Sequence, residues 1–184
     1  MPTYSIVLFS AGWLAWMAPF FIARRNSNPV KAKEVDRRAR WGIVLVALGF
    51  SLVWQGRFWE RSVAEWRVAV SLLFLLLADL SAWTSTRALG RHWRMDAGLN
   101  ADHSLVTSGP YGIVRHPIYT SMLCLLLSTG LMIGTLPLLA IAIGLFVLGT
   151  EIRVRIEEKL LASRFGDRFS DYRRRVPAYI PFLR

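Results

Sequence analysis

The stretch IYTSMLCLLLSTGLMIGTLPLLAIAIGLFVLGT, residues 118–150, contains two apolar runs separated by a Gly-Thr-Leu-Pro reversal. The first run, Ile118 to Ile133, predicts a membrane helix, and the second runs from Leu136 to Thr150. The reversal supplies a threonine that can cap the second helix and a proline suited to its first turn. Since the chain then continues without Gly or Pro to Phe165, the second helix is expected to project several turns into water.

Three further apolar runs precede this hairpin: Tyr4 to Ala23, Trp41 to Trp54 and Trp66 to Trp83. In chain order these three are spans one to three, and the two runs of the hairpin are spans four and five. The first has about 20 residues, which at about 1.5 Å per residue cross a hydrocarbon core of roughly 30 Å. In the second, Gly42 and Gly49 are places where another helix could approach closely. The predicted fold class is therefore all-α, an integral membrane helical bundle of about five transmembrane helices.

The charges are segregated from the apolar runs, although 54% of the residues are hydrophobic and the net charge is +11. Seven Lys and Arg lie in Arg24 to Arg40, four in Thr84 to Pro117, nine from Arg153 onward, and three around the turn between spans two and three. By the positive-inside rule, the N-terminus is expected outside and the C-terminus in the cytoplasm, in a bacterial inner membrane. Basic residues placed between apolar runs also argue against a nucleic-acid partner.

Cysteine and histidine usage argues against a disulfide framework and against a metal site. The single cysteine, Cys124, lies inside an apolar run. His92, His103 and His116 are spaced by eleven and thirteen residues, which matches no compact metal-binding motif. No metal is therefore expected.

The segment SGPYGIVRHPIY, Ser108 to Tyr119, places polar, aromatic and cationic side chains at the mouth of span four. Pro117 suits a helix start and leaves His116 on an extended backbone. Gly109 allows close backbone contact with a ligand, or it serves only a re-entry turn. Taken singly, Arg115 would be a lipid-phosphate anchor and the tyrosines part of the interfacial aromatic belt. Together, after a long polar connection, they favour a binding site.

A second charged group follows the last apolar run. Residues four apart share a helix face, so Arg153 should lie beside Glu157, while Glu151 and Arg155 lie on the opposite side. Charges at a membrane boundary are often only snorkelling or paired. Their density here indicates that one face serves a ligand and the other is structural.

These motifs resemble the isoprenylcysteine carboxyl methyltransferase family in composition, order and spacing, over roughly the C-terminal half. The matching residues are His103 to Tyr111, Arg115 to Tyr119, Arg153, Glu157-Glu158, Phe165-Gly166, Tyr172, Val176-Pro177 and Pro181. The resemblance implies a cytoplasmic pocket for S-adenosylmethionine, formed by the loop before span four and the C-terminal helical extension. It also implies a lipophilic or lipidated substrate that enters from the bilayer, with membrane lipids as surroundings.

Carried over by position, the resemblance implies contacts with S-adenosyl-L-methionine at His103, Ser104, Leu105, Val106, Tyr111, His116, Pro117, Ile118 and Tyr119. It places Arg153 and Glu157 near the reacting substrate as catalytic residues. Residues 1–184 would form one methyltransferase domain, with three spans in 1–83 and the cofactor and catalytic half in 84–184. No family cofactor contact aligns with Met95 to Asp102.

The implied activity is methylation of the carboxylate of an isoprenylcysteine-like substrate. A carboxylate is already anionic at neutral pH and needs no general base, whereas an amine acceptor would have to lose a proton to Glu157, Glu158 or His116. A phospholipid amine or a small thiol is therefore the alternative acceptor. An NADPH-dependent membrane reductase, which shares Arg-His-Pro-x-Tyr, and a non-enzymatic lipid-binding protein are the alternative classes.

Overall fold

The computed structural model describes residues 3–26, 34–35, 38–54, 63–94, 98–99 and 104–179. Six α-helices lie in these residues: α1 Thr3–Asn26, α2 Ala39–Val53, α3 Glu65–Leu89, α4 Pro117–Met132, α5 Leu136–Phe165 and α6 Asp167–Arg175. The remaining short elements are 3-10 turns at Gly90–His92 and Gly109–Gly112, and an antiparallel pair of two-residue strands, β1 Glu34–Val35 and β2 Gly98–Leu99. The predicted all-α helical bundle is confirmed.

Within the described residues, three helical stretches are long and apolar enough to cross a membrane: Thr3–Arg25, Glu65–His92 and Leu136–Phe165. The other two apolar helices, α2 and α4, have 15 and 16 residues. They rise about 23 and 24 Å, less than a hydrocarbon core of roughly 30 Å. All five predicted apolar segments are helical, but α2 and α4 are shorter than a full crossing.

Helix α3 is longer than the sequence predicted, since the expected span ended at Trp83 and a polar loop was expected from Thr84. The helix instead continues to Leu89. No Gly or Pro interrupts it before Gly90, which ends it with a φ of 51°. The hydroxyls of Thr84 and Thr86 bond carbonyls one turn earlier, at 2.7 and 2.8 Å, and so need no solvent. The loop expectation was wrong for residues 84–89.

Small residues set the packing of α2 against α5. A Cβ added at Gly42 would lie 2.4 Å from the carbonyl oxygen of Gly149, and one at Gly49 would lie 2.9 Å from that of Ala142. Such distances leave no room for a side chain at either position. The predicted close approach of another helix at both glycines is confirmed.

The reversal between α4 and α5 is held by backbone groups and by a residue from α3. Thr135 is the N-cap residue of α5, but its side chain makes no capping hydrogen bond, so the expected side-chain cap was wrong. Its carbonyl accepts the N–H of Leu139 at 2.9 Å. At the end of α4, the Arg67 guanidinium donates to the carbonyls of Gly130 at 3.2 Å and Gly134 at 2.7 Å. The guanidinium thus adds a donor to the carbonyl of Gly130, which also accepts the N–H of Gly134 at 3.0 Å, and supplies one to a carbonyl just past the end of α4.

The C-terminal part of the chain folds back onto the start of α4. Helix α5 continues past Thr150 to Phe165, as predicted, and Gly166, with a φ of 51°, redirects the chain into α6. Residues 176–179, here called the return segment, then run beside Arg115 and His116. The backbone N–H groups of these two residues donate to the carbonyls of residues 177 and 178, at 2.8 and 2.9 Å. This return brings α6 to the mouth of α4.

Candidate active site

A cavity of about 430 Å³ is lined by α1, α2, the segments after α3 and before α4, the start of α4, the second half of α5 and α6. Part of its lining is apolar and consists of Trp16, Met17, Phe20, Ile43, Val46, Met122, Leu160 and Leu161. Another part is polar and consists of His92, Arg94, Arg115, His116, Tyr119, Arg153, Glu157 and Tyr172. The cavity can therefore surround a molecule that has both an apolar and a charged portion.

Most of the predicted site residues line this cavity. Of those expected to contact the cofactor, the lining includes Ser104, Leu105, Val106, Tyr111, His116, Ile118 and Tyr119. Both predicted catalytic residues, Arg153 and Glu157, line it as well. Pro117 is buried in the first turn of α4 and is not part of the lining. His103 lies outside the described residues, as does most of Met95 to Asp102.

Arg153, Tyr119 and Glu157 form one hydrogen-bonded cluster. The Nε of Arg153 donates to the Tyr119 hydroxyl at 2.6 Å, and that hydroxyl donates to Oε1 of Glu157 at 2.5 Å. The Nη2 of Arg153 also donates to the same Oε1 at 3.3 Å. The predicted pairing of Arg153 with Glu157 on one helix face is confirmed. The three side chains therefore hold one another in place.

The position of Arg153 depends on a glycine of α2. Arg153 is 7% exposed, and its aliphatic stem packs where a side chain at position 42 would otherwise lie. A Cβ added at Gly42 would be 2.6 Å from Cγ of Arg153. The guanidinium carbon also lies 5.8 Å from the ring centroid of Tyr119, within the range of a cation–π interaction. The absence of a side chain at Gly42 therefore makes room for the arginine.

Glu158 forms a second cluster, directed away from Arg153. Its Oε1 lies 2.9 Å from Nε and 2.8 Å from Nη2 of Arg115, and 3.3 Å from Nε2 of His116. Its Oε2 lies 3.3 Å from Nε of Arg173. His116 also faces Glu157, with Nδ1 3.7 Å from Oε2. His116 therefore stands between the two clusters.

Arg115 joins this second cluster to the end of α6. Its Nη1 donates to the carbonyl of Arg173 at 3.1 Å and also to the carbonyl of Val176. The last carbonyls of a helix have no intrahelical donor, and a cation there also complements the helix dipole. Arg115 thus caps α6 and pairs with Glu158 at the same time.

Two buried tyrosines connect α6 to the turn before α4. The Tyr172 hydroxyl donates to the carbonyl oxygen of Tyr111 at 2.6 Å. Burial raises the pKa of Tyr172 to about 12, and burial together with nearby Glu157 raises the pKa of Tyr111. Both phenols are neutral at physiological pH, so they contribute hydrogen bonds and aromatic surface rather than charge.

Gly109 serves the turn. Its φ is 62°, a conformation that favours glycine, and nothing lies within 4 Å of a Cβ built there. It is not among the residues that line the cavity. Of the two interpretations offered by the sequence, the geometry favours the re-entry turn.

The sequence did not point to the contribution of α1 or of the residues after α3. In the sequence, Trp16 and Phe20 are part of an apolar span, Arg94 is part of a polar connection, and His92 suggests nothing beyond the metal site that the histidine spacing argues against. In the structure His92 Nε2 lies 3.1 Å from the Ser104 hydroxyl, which joins two parts of the cavity wall. The one available signal was the density of aromatic residues in α1. Among the described residues, no group of three or more His, Cys, Asp or Glu is arranged to hold a metal ion.

The fold and site define a class of protein: a helical membrane bundle with a charged, partly apolar cavity at the junction of its last helices. The chain belongs to the phospholipid methyltransferase family, whose model matches residues 66–168. The match covers α3 to the start of α6 and includes the Arg153, Tyr119 and Glu157 cluster.

Curated relatives extend this comparison. The cobalt-zinc-cadmium resistance protein CzcN of Cupriavidus metallidurans is 34% identical over 144 residues, 78% of this chain and 62% of that protein. The nickel-cobalt-cadmium resistance protein NccN of Alcaligenes xylosoxydans xylosoxydans is 32% identical over 142 residues, 67% of this chain and 66% of that protein. Protein-S-isoprenylcysteine O-methyltransferase of Schizosaccharomyces pombe is 38% identical over 85 residues, 46% of this chain and 36% of that protein. The predicted resemblance is confirmed, and the chain spans about two thirds or less of each of these relatives.

Proposed function

We propose that this protein is a membrane methyltransferase that uses S-adenosyl-L-methionine to methylate a lipophilic acceptor, with the carboxylate of an isoprenylcysteine-like thioether as the favoured group. The observation that carries the proposal is the hydrogen-bonded cluster of Arg153, Tyr119 and Glu157 on the wall of a cavity that also has an apolar part. The family match and the name of the yeast relative support the same chemistry.

The cavity suits S-adenosylmethionine in size and in the groups it offers. Its volume of about 430 Å³ lies within the usual range for small-molecule sites, roughly 300–1,000 Å³. Leu105 and Val106 offer an apolar surface to an adenine ring, while Arg94 offers a positive charge to a carboxylate. When bound, the cofactor supplies an electrophilic methyl group attached to a positively charged sulfur, and the sulfur becomes a neutral thioether once the methyl group is transferred.

The residues of the chain would act by orienting the acceptor and excluding water. The Arg153 guanidinium can pair with an acceptor carboxylate, because charge-assisted contacts to arginine are strong and directional. Glu157 and Tyr119 hold that guanidinium in place. No proton has to move for a carboxylate acceptor. For an amine acceptor, Glu157 or His116 would accept the proton, so a phospholipid amine remains the second candidate, in line with the family name.

The first experiment is calorimetric titration of the detergent-purified protein with S-adenosylmethionine, and then incubation with an N-acetylated S-prenyl cysteine. We expect saturable cofactor binding and a methyl ester that alkali hydrolyses. An alkali-stable N-methyl product from added aminophospholipid would favour the second candidate. Absence of cofactor binding by folded protein would contradict the proposal as a whole.

We further propose that the N-terminus is outside and the C-terminus in the cytoplasm of a bacterial inner membrane. The distribution of Lys and Arg supports this orientation. Fusion of a reporter that is active only in the cytoplasm should give signal at the C-terminus and none at the N-terminus. The reverse result would exclude this orientation.

A further inference from the structure

The Tyr119 hydroxyl is engaged by protein groups on both sides. Because the Nε–H of Arg153 can only donate, the phenol oxygen accepts it at 2.6 Å. The phenol proton is then directed to Oε1 of Glu157 at 2.5 Å. The direction of both hydrogen bonds is therefore determined by the chemistry of the donors.

The position of Tyr119 is set independently of the two charges it joins. Tyr119 is 8% exposed and lies in the first turn of α4, where its N–H bonds the carbonyl of His116 at 3.0 Å. Arg153 and Glu157 both come from α5. The phenol is thus a fixed point on α4 that orients two long, flexible side chains of another helix.

We propose that Tyr119 is a positioning residue that holds Arg153 and Glu157 in their working orientation, and that its hydroxyl is not a recognition group for the cofactor. This inference rests on the proposed methyltransferase function. It differs from the expectation drawn from the family resemblance, which gave Tyr119 a cofactor contact. Each of its two hydrogen bonds has one charged partner, and a hydrogen bond to a charged group has a larger energetic effect than one between neutral groups.

Tyr179 provides a matched control. Its ring lies 6.1 Å from that of His116, against 5.9 Å for Tyr119, and its hydroxyl donates to a different glutamate of α5, Glu151, at 2.8 Å. Tyr119→Phe and Tyr179→Phe therefore remove the same group from neighbouring positions. Only the first interrupts the link between Arg153 and Glu157.

The test combines cofactor affinity, kinetics and a spectroscopic readout. In Tyr119→Phe we expect turnover to fall by about tenfold to a hundredfold, with cofactor affinity by calorimetry unchanged, while Tyr179→Phe keeps wild-type turnover. In arginine-labelled ¹⁵N spectra, the Nε–H signal of Arg153, assigned with Arg153→Lys, should be protected from exchange with water in the wild type. Tyr119→Phe should shift it and remove the protection, and Tyr179→Phe should not.

Several outcomes would overturn the inference: wild-type turnover in Tyr119→Phe, a loss of cofactor affinity equal to the loss of turnover, equal losses in both variants, or an unchanged Arg153 signal. The spectroscopic arm separates this inference from the proposed function. If the wild type binds no cofactor but the Arg153 signal responds to Tyr119→Phe alone, the methyltransferase proposal fails while the link between the three side chains stands.

Discussion

Glu157 and Glu158 are neighbours on α5, yet they have opposite surroundings. Successive residues on a helix point about 100° apart, so the two carboxylates leave the helix in different directions. The Glu157 side chain is 24% exposed and meets Tyr119 and Arg153 on the cavity wall. The Glu158 side chain is 9% exposed and is enclosed by Arg115 and the residues around it.

The difference lies in how much acceptor capacity each carboxylate has left. Glu158 is approached by donors on both oxygens, at 2.8 to 3.3 Å. Oε2 of Glu157 lies 3.7 Å from Nδ1 of His116, beyond normal hydrogen-bond range. The Glu157 carboxylate can therefore still accept a hydrogen bond from a ligand. The Glu158 carboxylate instead links α6 to the start of α4 through Arg173 and Arg115. The comparison teaches that two neighbouring carboxylates on one helix can have different roles, one at a binding site and one in stabilising the fold.

The largest expected effect comes from Arg153→Ala. It removes the cation that we propose orients the acceptor, and methyl transfer to an S-prenyl cysteine should fall by about a hundredfold or more. The control is Arg155→Ala, since Arg155 forms the other i, i+4 pair of α5, with Glu151 at 2.7 Å, but is 78% exposed. Exposed pairs contribute little, so Arg155→Ala should stay close to wild type. Equal losses in both variants would contradict the assignment of the two faces.

Glu158→Ala should act on stability first. It leaves two arginines without their shared carboxylate, and breaking a buried pair typically costs about 3 kcal/mol or more. We expect a lower free energy of unfolding in detergent, measured by denaturant titration, and a smaller loss of turnover than in Arg153→Ala. Glu157→Ala is the matched variant. It should lower the free energy of unfolding less than Glu158→Ala does, and it should lower turnover more. Similar destabilisation by both would remove the distinction between the two carboxylates.

Gly42→Ala tests whether the packing of α2 against α5 positions Arg153 on the cavity wall. The added methyl group meets the backbone of Gly149 and the stem of Arg153. Overpacking of this kind costs about 1–3 kcal/mol, and turnover should fall because Arg153 is displaced. Gly144→Ala is the control, since nothing lies within 4 Å of a Cβ at that position of the same bundle. A Gly42→Ala protein with wild-type turnover and stability would show that this contact does not position Arg153.

The smallest effect is expected from Tyr172→Phe, which removes the hydrogen bond to the Tyr111 carbonyl and should cost about 1 kcal/mol. A pH dependence accompanies it. Because burial raises the pKa of Tyr172 from its ordinary value of about 10 to about 12, the unfolded chain loses this proton first, and stability falls as the pH rises from 10 to 12. The fall should be shallower in Tyr172→Phe, measured by thermal unfolding between pH 8 and 11.5. Identical slopes in both proteins would exclude this contribution.

The sequence predicted the helices well and their ends less well. Long apolar runs identified all five apolar helices, because a helix satisfies every backbone hydrogen bond within one continuous segment in a lipid environment. The boundary of α3 was misplaced because threonines at positions 84 and 86 read as polar loop residues, whereas their hydroxyls bond the preceding turn of the helix. The side-chain cap of α5 was predicted wrongly as well, since Thr135 is at the N-cap position but its side chain makes no capping hydrogen bond.

For the site, the sequence indicated the pairing of Arg153 with Glu157, because that pairing is local to one helix and follows from its period. The polar and aromatic residues of Ser108 to Tyr119 also indicated a binding site before α4, and the family resemblance added the expected cofactor contacts. Neither could indicate that Trp16 and Phe20 of α1 would line the same cavity. Apolar residues of a membrane span look alike whether they face lipid, a neighbouring helix or a ligand.

By itself, then, the sequence determined the apolar spans, the segregation of charge and the i, i+4 faces of α5, since all three follow from local periodicity and composition. Only the tertiary structure decided which glutamate faces the cavity and which binds Arg115. That choice depends on Gly42 of α2, Tyr119 of α4 and the return segment, which are distant in the sequence and meet only when the helices pack. The direction of a side chain on a helix is a local property, but what it meets is not.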